Sequence, residues 1–167
     1  LVKRKNVEAL IKQFNKQFMN KKVVLNIVGT GKQAIYLIDK YSSSQVVFKG
    51  PKFDKDLIYE YHNASCLVCP SLFEPWGLVV NEALSSGLPV IVRKEVGATY
   101  DLIFGRETGL IAEDDFDLGR HMQLIYTDKD MKYKFSNNAV QLMSDLWNYE
   151  YLTRFQQNSY PAKSRFL

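Results

Sequence analysis

Apolar positions along this chain recur with two periods that take turns. Over residues 6–20, Val7, Leu10, Ile11, Phe14 and Phe18 fall on one helical face. Asn6 stands where an N-cap would, and Glu8 suits the electropositive first turn. Residues 22–28 are mostly apolar on both faces, which predicts a buried strand, and Gly29 and Gly31 break it. The pattern then predicts a helix over 32–42, a loop at Ser42-Ser43-Ser44, and a short strand at Val46-Val47-Phe48 ended by Gly50-Pro51. Asp54 and Asp56 open a helix that turns Leu57, Ile58 and Tyr61 inward, and Cys66 to Cys69 is a further buried strand stopped by Pro70. A helix follows over 77–86, with Gly87 as its C-terminal stop and Pro89 just beyond. Next come a strand over 88–92, a glycine-containing loop over 95–99 and a strand near Gly109-Leu110-Ile111. Met131, Phe135, Ala139, Leu142 and Leu146 then recur at helical spacing, and the aromatic tail from Trp147 to Tyr160 is read as a last helix packed on the core.

Short strands rich in Val, Ile and Leu, each followed by a helix, imply a parallel sheet covered on both faces, a doubly wound α/β layer. Ligands of such sheets sit at the carboxyl ends of the strands. The loops at 29–33, 49–53, 70–77 and 93–99 all follow strands and should share one rim.

The composition fits one domain over residues 1–167. With 46% apolar and 24% charged residues it is globular rather than disordered. No apolar run approaches the roughly 18–20 residues of a membrane span, and no signal peptide is evident. Two cysteines do not make a disulfide scaffold, so a reducing, cytoplasmic interior is expected. The net charge of +4 is unevenly placed: residues 1–22 carry Lys3, Arg4, Lys5, Lys12, Lys16, Lys21 and Lys22 against Glu8 alone. Such a segment is either a solvated helix face or an attractor of anions such as phosphate or an acidic membrane surface. No nucleic-acid-recognition motif accompanies it.

Three motifs bear on chemistry. Gly29-Thr30-Gly31-Lys32-Gln33-Ala34 matches G-x-G-x-x-A after a strand. The acid that should hold ribose at the end of the next strand is replaced by Lys49, so a nicotinamide cofactor, and with it an oxidoreductase, rests on the glycines alone. Cys66 and Cys69 form C-x-x-C, but residues three apart in a strand point to opposite faces, which favours packing over a metal or redox pair. His62 and His121 have no ligand-spaced partners, so no metal site is expected. In Glu74-Pro75-Trp76-Gly77-Leu78-Val79-Val80-Asn81-Glu82, one carboxylate stands in a rim loop and the other in the first turns of a helix. The apolar Leu78-Val79-Val80 start is expected to be buried, with the free amides of the helix start facing the rim, where they can receive phosphate or sugar oxygens.

Glu74 to Ile91, E-P-W-G-L-V-V-N-E-A-L-S-S-G-L-P-V-I, resembles the signature E-x-F-G-x-x-x-x-E-A-x-A-x-G-x-P-V of family 4 glycosyltransferases with the GT-B fold. Lys5-Asn6, L-N-I-V-G-T-G-K, V-V-F-K-G-P and L-I-Y-E-Y-H-N-A-S-C-L-V-C-P-S resemble earlier segments of the same family in the same order. The resemblance covers about 150 residues and implies the Rossmann-like, donor-binding C-terminal half of a GT-B fold. Trp76 replaces the usual Phe, Gly97-Ala98 the usual Gly-Gly, and Asp101 the usual Glu. The chain begins after the position of the family's phosphate-binding arginine, and the acceptor-binding N-terminal half is missing, which implies an excised domain or a transferase split between two chains.

The resemblance implies transfer of a hexose from UDP- or GDP-hexose to an acceptor hydroxyl, with retention and without a metal. Lys5, together with the amides of Gly77, Leu78 and Val79, would neutralise the departing diphosphate. Glu74 would hold donor-sugar hydroxyls and Glu82 the ribose. Gly50, Pro51 and Lys52 would lie beside the base, Gly29 and Gly31 would form a tight turn at the rim touching the donor, and Pro75 and Trp76 would complete the donor site. An acceptor glycan or lipid-linked sugar, a missing N-terminal domain or partner chain, and peripheral contact with the inner membrane face are the partners implied. The alternative is a noncatalytic nucleotide-binding or partner subunit.

Overall fold

The computed structural model describes residues 1–146 and the backbone of 165–166. The helix expected over Trp147 to Tyr160 lies outside the described residues. After a 3-10 turn at Lys3–Lys5 come α1 (Val7–Phe18), β1 (Val24–Val28), α2 (Ala34–Tyr41), β2 (Val46–Gly50), α3 (Asp54–His62), β3 (Leu67–Cys69), α4 (Leu78–Ser85), β4 (Val90–Arg93), β5 (Gly109–Ala112), α5 (Asp115–Thr127), α6 (Lys129–Leu146) and β6 (Arg165–Phe166). A π-helical turn over Thr99–Ile103, unforeseen from the sequence, buries Thr99, Leu102 and Ile103 between β4 and β5.

Every strand pairing among the described residues is parallel. Among the described residues the strands form two three-stranded sheets, ordered β2-β1-β6 and β3-β4-β5, rather than the one sheet expected. Asn26, Ile27 and Val28 of β1 and Leu67, Val68 and Cys69 of β3 line one cleft.

Helices cover both faces. Leu25, Ile27, Val46, Cys66, Val68 and Ile91 pack with Leu37 of α2, the apolar stripe of α1 and Leu118, Met122 and Ile125 of α5. The alternate residues Leu67, Cys69, Val90 and Val92 pack with Tyr61 of α3, Val80, Ala83 and Leu84 of α4, and Ala139 and Met143 of α6. This two-sided alternation is what continuous apolar strands require. All five predicted positions of α1 are buried. Phe14 and Phe18 stack at 5.2 Å between centroids, and Tyr126 meets Phe18 edge-on at 5.5 Å. Burial of each such side chain contributes roughly 1.5–3 kcal/mol. Glu8 stands in the first turn of α1 as expected and accepts from the Tyr41 hydroxyl at 2.7 Å; that bond, with Lys12 and Lys40, pulls its carboxyl down to about 2.

Candidate functional site

The carboxyl ends of β1, β2 and β3 open on one side of the molecule and bound a cleft of about 420 Å³. Of the predicted residues, Lys5, Gly29, Pro51, Lys52, Val79 and Glu82 line it. Glu74, Pro75, Trp76, Gly77, Leu78, Gly31 and Gly50 do not line it, so the structure separates the expected set into a cleft group and an edge group.

Glu74 reaches the cleft indirectly. Its Oε2 is bonded by the Lys5 ammonium and lies 3.3 Å from Arg4 Nη1. Arg4 Nη1 also donates to the Phe73 carbonyl at 3.1 Å, and the Leu72 amide donates to the Arg4 carbonyl at 2.8 Å. The basic turn at residues 3–5 is therefore laid along the Glu74 loop. From the other side, the Glu74 amide donates to Glu95 O at 3.3 Å and the Gly97 amide to Glu74 O at 2.9 Å. Gly97 is obligatory here, because a Cβ would overlap the Pro75 carbonyl oxygen. Trp76 turns back on α4, its indole N–H donating to Asn81 Oδ1 at 2.8 Å.

α4 starts at Gly77, whose φ of 98° needs a glycine. Against expectation the first turn is not buried: Leu78 is 69% and Val79 37% exposed, and only Val80 enters the core. The turn stands at the rim, and among the described residues its first two side chains stay largely uncovered. Glu82, one turn on, faces the cleft and accepts from the buried Tyr61 hydroxyl at 2.7 Å. Burial, reinforced by the Glu82 carboxylate, pushes the Tyr61 phenol well above its ordinary value, so it stays a donor.

Asn6 does not cap α1. It adopts the left-handed conformation, φ 54°, which Asn tolerates better than most residues, and makes no side-chain cap bond. Its Nδ2 donates instead to Asp115 Oδ1 at 2.8 Å. The glycine turn after β1 meets Leu1: Leu1 O accepts from the Gln33 amide at 3.0 Å, and the Leu1 backbone lies against Gly31.

Two polar groupings were not foreseen. Arg93, buried at the end of β4, is bidentate to Glu95 and donates to Asp115 Oδ1 at 2.9 Å. Glu60, buried in α3, lies 3.4 Å from Asn26 Nδ2 and 3.6 Å from Lys49 Nζ. An acid in a helix and a basic residue ending a strand look like surface residues in the sequence, and only an apolar neighbourhood in space would have flagged them. Cys66 and Cys69 enter different core clusters, so their thiols diverge as strand alternation predicts, and burial pushes both up. Among the described residues no three His, Cys, Asp or Glu side chains converge as a metal site would need, and no helix is long and apolar enough to cross a membrane.

An uncharacterized glycosyltransferase of Methanocaldococcus jannaschii is 26% identical over 96% of the chain and 42% of its own length. A glycogen synthase of Mycobacterium tuberculosis is 33% identical over 52% of the chain and 22% of its own length. The chain thus spans less than half the length of these curated relatives. Anabaena Alr3699/HepE, solved with UDP and glucose, superposes with a TM-score of 0.76 at 21% identity over 94% of the chain and 44% of that protein. The fold is thus the Rossmann-like half of a GT-B glycosyltransferase. The sequence profile of the Glycosyl transferases group 1 family matches residues 1–142, and the chain belongs to that family.

Proposed function

We propose that residues 1–167 form the donor-binding domain of a family 4 hexosyltransferase, which takes a nucleoside diphosphate hexose and passes the sugar, with retention, to an acceptor hydroxyl. The observation that carries this reading is the meeting of Glu82, Lys5, Val79, Gly29 and the Pro51-Lys52 loop around one cleft, with Glu74 tied to Lys5 at its edge. Breaking the anomeric C–O bond leaves negative charge on the diphosphate. A cation and free helix amides stabilise that charge in a closed site. Lys5 is the cation at hand, and the exposed start of α4 supplies the amides. Glu82, steered by Tyr61, would hold ribose hydroxyls. Glu74 would hold sugar hydroxyls once Lys5 turns to phosphate, and Gly50, Pro51 and Lys52 would flank the base.

UDP- or GDP-hexose is the donor class, and acceptors would be glycans or lipid-linked sugars of capsule, lipopolysaccharide or other glycan assembly. The acceptor side would come from a further domain or a partner chain. The exposed Lys12, Lys16 and Lys22 would give cytoplasmic, peripheral contact with an anionic membrane. Calorimetric titration with UDP, GDP and their sugars tests the central claim. Binding by at least one of them is expected, with negligible transfer by the domain alone; no binding at millimolar ligand refutes it.

A further inference from the structure

We propose that Arg93 is a positioning residue that sets the spacing of Lys5 and Glu74. The proposal rests on the donor-site reading above and names a part of that site no motif contains.

The argument is a closed ring of contacts. Lys5 bonds Glu74 directly. The next residue, Asn6, in its left-handed turn, donates to Asp115 Oδ1 at 2.8 Å. The same oxygen receives Arg93 Nη1 at 2.9 Å. Arg93 holds Glu95 through Nε at 3.1 Å and Nη2 at 3.2 Å. The Glu95 carbonyl accepts from the Glu74 amide at 3.3 Å, which returns to the start. Lys5 and Glu74 thus stand on two separate loops, and Arg93 touches an anchor of each. One planar guanidinium spans both anchors, which a lysine ammonium could not do with the same geometry. Its side chain is only 9% exposed, while Glu95 and Asp115 keep 31% and 43%, so the guanidinium is the buried member of both contacts. In the proposed site Lys5 serves the diphosphate and Glu74 the sugar. Arg93 therefore fixes the distance between the two ends of the donor without touching it.

The test uses Arg93→Gln and Arg93→Lys, alone and with Lys5→Ala. Without ligand, amide hydrogen exchange at Glu74 and Gly97 should rise about tenfold in Arg93→Gln, while Leu25 and Ile27 of β1 keep parental exchange. With the nucleotide sugar, UDP- or GDP-linked according to the nucleotide bound, Arg93→Gln should weaken binding about tenfold in the parent and less than about twofold in the Lys5→Ala background. Arg93→Lys should fail to restore either reading. Unchanged exchange at Glu74 and Gly97, a uniform rise across β1, or equal losses in both backgrounds would each overturn the proposal. Should the parent bind no nucleotide, the donor-site reading falls, and the exchange measurement alone then decides whether Arg93 orders the two loops.

Discussion

The Tyr61 hydroxyl donates to Glu82 Oε2 at 2.7 Å and so joins α3 to α4 along one wall of the cleft. Tyr61 is buried and its phenol is held protonated by burial and by the facing carboxylate, so the bond runs in one direction only. It leaves the second Glu82 oxygen for a ligand. Tyr61→Phe removes the guide but leaves the carboxylate. Nucleotide affinity should fall roughly two- to twelvefold, the worth of one hydrogen bond of about 0.5–1.5 kcal/mol. Glu82→Ala should cost more affinity and also about 1–3 kcal/mol of stability, because it strands the buried hydroxyl. Glu82→Gln keeps an acceptor for Tyr61 and should recover the stability without the affinity. Calorimetry and urea unfolding on the three variants check this ordering.

The Lys5–Glu74 pair separates stability from function in the opposite way. Lys5 is about one-third exposed, so the pair is screened and is worth at most about 1 kcal/mol to folding. Lys5→Ala should leave the unfolding midpoint nearly unchanged yet weaken nucleoside diphosphate binding at least about tenfold, the scale of a charge-assisted hydrogen bond. In an assembled transferase, losing one such donor should slow transfer by about 10²–10³. Glu74→Ala should bind the bare nucleotide like the parent, or somewhat better as Lys5 is released, and lose preference among nucleotide sugars. Titrations with matched nucleotides and nucleotide sugars decide the matter; equal losses for both ligand types would contradict the division of labour.

What could be read from the sequence was what repeats locally. The five apolar positions of α1, the opposed faces of Cys66 and Cys69, and the C-terminal stop at Gly87 all follow from period and turn chemistry, and all appear in the fold. The rim loops were legible for the same reason, since each follows a short strand. Asn6 shows where that reasoning ends. Its sequence context fits a cap, but its side chain goes to Asp115, more than a hundred positions away, and no periodicity encodes such a partner. Arg93 and Glu60 are alike: charged residues that local pattern assigns to solvent, buried because distant carboxylates and amides meet them. Leu78 erred the other way: it is apolar, yet at the rim none of the described residues covers it.

Gly97 offers a steric test of the edge group. The Pro75 carbonyl occupies the space a Cβ would need, while the Gly97 amide holds Glu74 O at 2.9 Å and the Ala98 amide holds Trp76 O at 2.8 Å. Gly97→Ala must push the Glu74–Trp76 loop outward. A loss of about 1–3 kcal/mol is expected from the overlap. The displaced loop also carries Glu74 away from Lys5, so nucleotide-sugar binding should suffer more than binding of the nucleotide alone. Ala98→Gly at the neighbouring position tests the specificity of the effect, since it adds no atom near Pro75 and should leave sugar discrimination intact.

Acid sensitivity should come from His121 on α5. The imidazole is buried, and its Nδ1 has no hydrogen-bond partner among the described residues. Burial lowers its pKa below the ordinary 6.5; Asp117 pulls upward and Arg120 adds to the fall. The folded protein therefore prefers the neutral ring, and the unfolded chain takes up the proton first. Stability is full above about pH 6.5 and declines as the pH falls through the folded-state value, because the unfolded state then binds more protons. His62 is shifted the same way by burial, so one substitution should reduce the slope without abolishing it. Urea unfolding of the parent and of His121→Gln at pH 7.5, 6.5 and 5.5 measures the effect. The parent should lose more stability across this range than the variant. Parallel losses in the two proteins would show that His121 does not govern the acid limb.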